Sequence, residues 1–343
     1  MPKKILVIAP LLFLFITSTT GQNLEDYIAL AKNSVNQSER FIFLDSVISK
    51  SHRTHPDNFL KYSLIYIALA KELDSIEGAA KKAINIQSIL VNTKRDPKKA
   101  IEVIDGVLLQ KNRVKDSFLL GGLYLKKGVA NSKLDLKLAI SDFSDALKNL
   151  PKRDISHRAD AHLLRGHAAA TLGDFITAGN DYAVAYISYD SLKDSDNMLR
   201  AQQGKIATYR RYGFYKDAIS ERDALIGKLI ELKRTKSLAS EYYNQSLDYE
   251  KTGNQYQQLQ LLLKADTYQN DGKREGLYFN IHSKLASYYC SNNDLRKAKE
   301  QLGLVEPYLN EILEEGFAAL SYNGAKSAYL MALGDFDSSL VFA

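Results

Sequence analysis

A single cysteine, Cys290, excludes an internal disulfide framework, so covalent bracing does not hold this chain together. With no base motif beside it, the thiol reads as a small packed hydrophobe rather than a nucleophile. Tryptophan is absent and proline is scarce: beyond residue 22 only Pro56, Pro97, Pro151 and Pro307 remain, each where a helix can start or stop. Sustained alternation of apolar and polar residues is missing. The one Asn-Gly pair, Asn323-Gly324, sits in a helical pattern, which argues against hairpins. No Gly/Ser-rich or Pro-rich linker marks a domain boundary. The phosphate-loop, dinucleotide-binding, HExxH, GxSxG and CxxC patterns are all lacking.

What is present is an ordinary folded composition, 45% hydrophobic and 25% charged. The formal net charge of +6 raises nucleic acid or an anionic membrane as partners. The basic residues are spread out among 40 acidic ones, and the denser patches at 148–153 and 231–236 are short. They read as solvated helix faces, and no nucleic-acid partner is expected.

The N-terminus stands apart. Lys3 and Lys4 precede an apolar run from Ile5 to Ile16, followed by small and polar residues, the layout of a secretory signal peptide over 1–22. The run is short for spanning a bilayer, which disfavours the competing reading of an uncleaved anchor. The expected location is therefore exported and periplasmic. Losing Lys3 and Lys4 would leave a net charge of about +4.

From Asn23 onward apolar residues recur at three and four, as in Phe41, Leu44, Val47 and Ile48, or Leu60, Leu64, Ile67 and Leu69. The pattern predicts helix almost throughout. A longer period lies over the short one. Ala100, Ala139, Ala178, Ala218, Gln258, Ala298 and Ser339 occupy equivalent places at spacings of 39 to 41 residues. In "TLGDFITAGNDYAVAY" (171–186) a glycine is followed by a helix-capping Asp174, an aromatic Phe175 and small residues at Ala178 and Ala185 around Tyr182. Gly173, Gly213, Gly253 and Gly334 fall where one helix must end with positive φ. Asp174, Asn254 and Asp335 suit the N-cap of the next. Phe175, Tyr215, Tyr256 and Phe336 are expected to plug the turn, and the small residues to let helix backbones approach.

At Gly166, Gly173, Phe175, Ala178, Tyr182 and Ala185, and again at Ala139, Phe143, Ala146 and Pro151, the sequence resembles the tetratricopeptide repeat family. The resemblance covers roughly residues 60 to 343 and is strongest at the centre. The period near 40 departs from the family's 34 and implies longer helices, and Gln258 and Ser339 stand in slots for small residues. Other helix-pair solenoids with repeats of about 40 to 47 residues are the structural alternative. The expected fold is all-α, a right-handed superhelical solenoid of antiparallel helix pairs. Residues 23–80 are expected to form capping helices or a degenerate repeat, and 81–343 the array.

Catalytic apparatus does not emerge, and the chain reads as a non-enzyme without cofactor. His52 and His55, and His157, His162 and His167, are spaced so as to scatter around a helix, and no carboxylate completes a metal-ligand set. Such arrays imply a concave face lined by the first helix of each pair, suited to a protein or peptide partner. In 199–213 the packing side takes Ile206 and Tyr209, leaving Arg200, Gln203, Ala207 and Arg210 on the other stripe. The equivalent stripes are Asp160, Leu163, His167 and Ala170 one repeat earlier, and Ser240, Tyr243, Leu247 and Glu250 one repeat later. His167, Arg200, Gln203, Arg210 and Tyr243 are the candidate binding residues. A solvated face with extended arginines explains the same pattern. The Lys/Asn/Arg clamp of some family members is not matched, because Leu163 and Ala207 occupy its places. The sequence stops inside a second helix at Leu340–Phe342, the pattern of an array cut short. The resemblance extends to periplasmic sensor regions of Bacteroidota signal-transduction proteins, which makes a ligand-sensing ectodomain the alternative to a free exported scaffold.

Overall fold

The computed structural model describes residues 23–269, 276–309 and 316–343, and the expected signal peptide over 1–22 lies outside the described residues. Among the described residues there are helices and turns but no strand. The helices are α1 (Leu24–Asn33), α2 (Gln37–Ser51), α3 (Pro56–Glu72), α4 (Ile76–Ser88), α5 (Pro97–Leu108), α6 (Ser117–Asn131), α7 (Leu136–Asn149) and α8 (Ile155–Thr171). They continue as α9 (Phe175–Ser191), α10 (Ser195–Arg211), α11 (Tyr215–Glu231), α12 (Leu238–Lys251), α13 (Gln255–Tyr268), α14 (Gly276–Ser291), α15 (Leu295–Val305), α16 (Gly316–Ala332) and α17 (Phe336–Phe342).

A local device repeats along the chain and explains the helix ends. Gly173, Gly213, Gly253 and Gly334 all have positive φ, between 76° and 85°, as the glycine spacing predicts. The same conformation is also taken by Lys193, Lys233 and Asn293, so left-handed residues fall at 173, 193, 213, 233 and 253. The repeat of 40 is thus two half-repeats of 20. Each ends in a Schellman-type closure: the N–H of Asp174 donates to the Ala169 carbonyl at 2.9 Å, that of Asp194 to Tyr189 at 3.0 Å and that of Arg234 to Leu229 at 2.8 Å. An N-cap then starts the following helix. The Asp174, Asn254 and Asp335 side chains accept from the backbone N–H of Thr177, Gln257 and Ser338. Asp96, Asp135, Asp194 and Asp294 cap in the same way.

The anchors sit where helices touch. Ala100, Ala139, Ala178, Ala218 and Ala298 are all buried. A β-carbon on Gly128 would come within 2.6 Å of the Phe143 ring, and one on Gly204 within 2.5 Å of Tyr182, so these helices are held at backbone-to-ring distance. The two polar anchors are accommodated differently. Ser339 donates to the Ser327 carbonyl at 3.1 Å and its oxygen lies 3.0 Å from the Ser327 hydroxyl, whereas Gln258 is buried at the edge of a cavity. Two of the expected turn plugs do not plug: Tyr256 and Phe336 are largely exposed, because the Schellman closure and the N-cap already finish the turn. Phe175 packs edge-on against Tyr212 at 5.3 Å between centroids.

The chain divides into two compact units at Ala168–Ala169. In the first, one core runs from Ile28 through Phe59, Ala79 and Ile104 to Ala130, so residues 23–80 share a core with those that follow, and α4 runs through the expected boundary at 80–81. A smaller cluster gathers around Phe143 and Leu150. In the second unit each helix packs against the next, and α14 packs against both α15 and α16. Its C-terminal core collects around Phe279, Val305 and Tyr322.

Candidate functional site

The second unit carries a polar face built from the first helices α10, α12, α14 and α16. Arg200, Gln203 and Ala207 are exposed along α10 while Ile206 is buried beneath them, as the spacing predicts. Tyr243 on α12 is half-buried; burial and the nearby Glu250 carboxylate push its phenol above the ordinary range, with Arg210 opposing. His167 lies exposed near the end of α8, in the first unit. Its neighbour on the expected stripe, Leu163, is buried instead of facing solvent, because α8 turns that apolar side chain into the packing.

Gln203 and Arg210 have a task that their stripe position did not reveal. The Gln203 amide donates to Glu241 Oε1 at 2.9 Å, and Arg210 Nε reaches Asp248 Oδ1 at 2.5 Å. Glu241 and Asp248 are buried, and Arg222 of α11, buried as well, is paired with Glu241 and lies 3.3 Å from Asp248. This network joins α10, α11 and α12. Each buried carboxylate has a cation within reach, which is the condition for keeping a charge out of water. The signal for it was in the sequence. Gln203 and Arg210 are seven apart, as are Glu241 and Asp248, so each pair shares one helix face two turns apart. What spacing could not show is that α10 and α12 turn those faces toward each other. Arg200 is different: it donates weakly to Asn197 Oδ1 at 3.4 Å on its own helix, and it is exposed.

Further along this face Lys284 of α14 bridges to Glu250 of α12 at 2.7 Å. On either side of the pair lie small cavities. One, of about 230 Å³, is lined by Tyr243, Asn280, Ser283, Lys284 and Ser321; the other, of about 240 Å³, by Glu250, Gln258, Lys284 and Tyr288. A separate, more apolar cavity of about 410 Å³ opens between α9 and α10, walled by Phe175, Tyr212 and Phe214. Among the described residues no cluster of His, Cys, Asp or Glu is arranged to hold a metal ion. Cys290 is half-buried, and burial pushes its thiol up, away from the reactive thiolate.

No family model and no curated protein matches the chain. Solved structures do. The apo form of RapI matches with a TM-score of 0.65 over 93% of this chain and 83% of its own, at 14% identity. The fold is a tetratricopeptide-like helical repeat. Aspartyl phosphate phosphatase F from Bacillus subtilis is similar in fold (TM-score 0.52, 14% identity, 93% of this chain and 90% of that one). A Rap protein complexed with competence and sporulation factor matches with a TM-score of 0.50 at 13% identity, over 93% of this chain and 84% of that one. At such identities the likeness is one of fold.

Proposed function

We propose that this chain is a non-catalytic scaffold that binds an extended peptide or a peptide-like segment of a partner protein along the α10–α12–α14–α16 face. The observation that carries the reading is the row of polar side chains on that face. Exposed Arg200 stands at one end, and half-buried Tyr243 and paired Lys284 and Glu250 border two small cavities further on. Gln203 and Arg210 position α10 against α12, and their roles at a ligand are secondary to that. A row of hydrogen-bonding side chains on rigid helices suits a partner that offers backbone and side-chain polar groups in sequence. The Rap protein solved with competence and sporulation factor is a neighbour of the same fold that holds another molecule, which supports binding as a task this fold can serve.

The test is selection of peptides on the immobilised chain, followed by fluorescence anisotropy. Arg200→Glu with Tyr243→Ala is expected to weaken captured peptides at least tenfold, about 1.4 kcal/mol. Arg210 is left intact, since reversing its charge would strand Asp248. Equal affinity for parent and variant would remove this face from the reading.

The finer reading is export, supported by Lys3, Lys4 and the apolar run Ile5–Ile16. Fusing residues 1–30 to alkaline phosphatase tests it, because that reporter is active only after translocation; an inactive fusion would overturn it. Service as the ligand-sensing portion of a membrane-bound regulator is a narrower form of the same proposal.

A further inference from the structure

The turn between α10 and α11 breaks the capping rule that the other turns of its kind obey. Asp96, Asp135, Asp174, Asn254, Asp294 and Asp335 hold the corresponding places, and each accepts a backbone N–H from the helix it starts. At 214 that slot holds a phenylalanine, which makes no cap and is 53% exposed. The turn does not need the ring, because the Phe214 N–H already closes it on the Tyr209 carbonyl at 2.9 Å. A position that gives up a cap and shows an apolar ring to water departs from two local rules at once. Such departures mark places kept for another task.

The ring borders the cavity of about 410 Å³ between α9 and α10. Phe175 meets Tyr212 edge-on, and Tyr212 stacks on Phe214 at 5.8 Å between centroids, so three lining rings run in series. Gly179 and Ala183, one turn apart on α9, carry too little side chain to fill the hollow. Ile176 is 70% and Tyr212 43% exposed, so this apolar lining is itself open to a guest. Lys205 is the one charged residue of the lining; Glu221 holds its ammonium at 2.5 Å, and it stands over the Tyr209 ring. It would repel a guest cation, and a guest anion would have to compete with Glu221, which leaves a neutral guest. The volume exceeds the roughly 150 Å³ that holds a single benzene ring, and suits a fused pair of rings. With so exposed a rim the guest stays partly open, whereas a free small molecule is bound with most of its surface covered. A side chain anchored on a partner, whose own surface covers Ile176 and Phe214, fits such an opening. We propose that this cavity seats an uncharged bicyclic aromatic side chain, that of tryptophan, from a partner polypeptide. Lys205, Tyr209 and Tyr212 lie on a different stripe of α10 from Arg200, Gln203 and Arg210, so the seat is separate from the face proposed above.

The chain contains no tryptophan, so indole fluorescence reports on a probe alone. The full chain is titrated into the peptide acetyl-Ser-Leu-Trp-Leu-Ser-amide, whose leucines can cover the rim. Counterparts with norleucine or lysine at the centre serve as competitors, and N-acetyl-tryptophanamide as the free aromatic. The expected result is a saturable blue shift of the indole emission, with both competitors at least fivefold weaker and the free amide at least threefold weaker. Phe214→Asp should cut the affinity at least tenfold while leaving the melting temperature equal or higher, since it restores the missing cap. Ile176→Ser, at an exposed position, should weaken binding at least threefold, and Arg200→Glu with Tyr243→Ala should leave it as it was. Equal competition by the norleucine peptide overturns the seat. So does a lower melting temperature for Phe214→Asp, because the ring would then be serving the fold. Free amide that binds as tightly as the peptide overturns the partner segment as occupant. Loss of binding in the Arg200 and Tyr243 variant would put the probe on the other face, and the seat falls while that face survives.

Discussion

At the scale of single residues, the repeat is enforced by what cannot be larger. Ala178 is fully buried in the packing of α9, and alanine recurs at four of the six corresponding positions, Ala100, Ala139, Ala218 and Ala298, with Ser339 internally bonded and Gln258 the one larger side chain. Ala178→Phe is therefore expected to overpack the contact and cost about 1–3 kcal/mol. Urea melts of variant and parent read this directly; coincident curves would place Ala178 outside the helix contact. The left-handed turns show the limit of residue-level inference. Glycine at 173, 213, 253 and 334 announces a positive φ because it lacks the Cβ that makes the conformation costly. Lys193 and Lys233 adopt the same conformation without any such signal. There the geometry is imposed by the flanking helices, and the side chain tolerates it.

At the scale of helices, the buried network decides how α10, α11 and α12 are joined. Arg222 lies between Glu241 and Asp248 with all three buried. Arg222→Met should leave those carboxylates short of a cation and destabilise the chain by about 3–5 kcal/mol, since breaking a buried pair leaves uncompensated charge. Chemical denaturation measures it, and adding Glu241→Gln to the variant should recover part of the loss. A change below about 1 kcal/mol would mean that the carboxylates reach water. The pairing of Gln203 with Glu241 and of Arg210 with Asp248 also alters how the α10 stripe is understood. Two of its polar residues bind a neighbouring helix, so the proposed peptide-binding face relies on Arg200 of α10 and Tyr243 of α12 instead.

At the scale of the molecule, titratable groups on many helices set a window of pH stability. Hydrogen bonds from Thr177 and Asn197 hold the capping carboxyls of Asp174 and Asp194 below the usual range, and Lys326 does the same for Glu306. With the folded value depressed, their stabilisation is present above the unfolded pKa near 4 and is lost as pH falls through the folded values. Asp142 runs the other way, raised by burial, so its share is lost as pH rises through its folded value. Burial, reinforced by Asp45 and Asp181, pushes the Tyr66 and Tyr182 phenols up to about 12. Their stabilisation is complete below the unfolded value near 10 and is lost as pH climbs to about 12. Urea midpoints across pH are expected to fall at both ends, with Asp174→Ala flattening the acid limb. An unchanged acid limb in that variant would show that the cap carboxylate contributes nothing.

Much of this was legible in the sequence because helix ends, caps and close contacts are governed by residues near one another in the chain. Gly173 with Asp174, the alanine anchors and the 40-residue period each state a local steric requirement, and together they specify an all-helical repeat. The candidate face was legible only in part. Spacing put Arg200, Gln203 and Arg210 on one stripe, but it could not say that Glu241 and Asp248, 38 residues on, would claim two of them. Leu163 went the other way, from an expected surface position into the packing. Sequence alone determined the element and its period, because those follow from φ, capping and side-chain size within a few residues. Tertiary structure decided which charges are used up and which rings are left exposed, because burial and pairing depend on neighbours brought from distant turns of the chain.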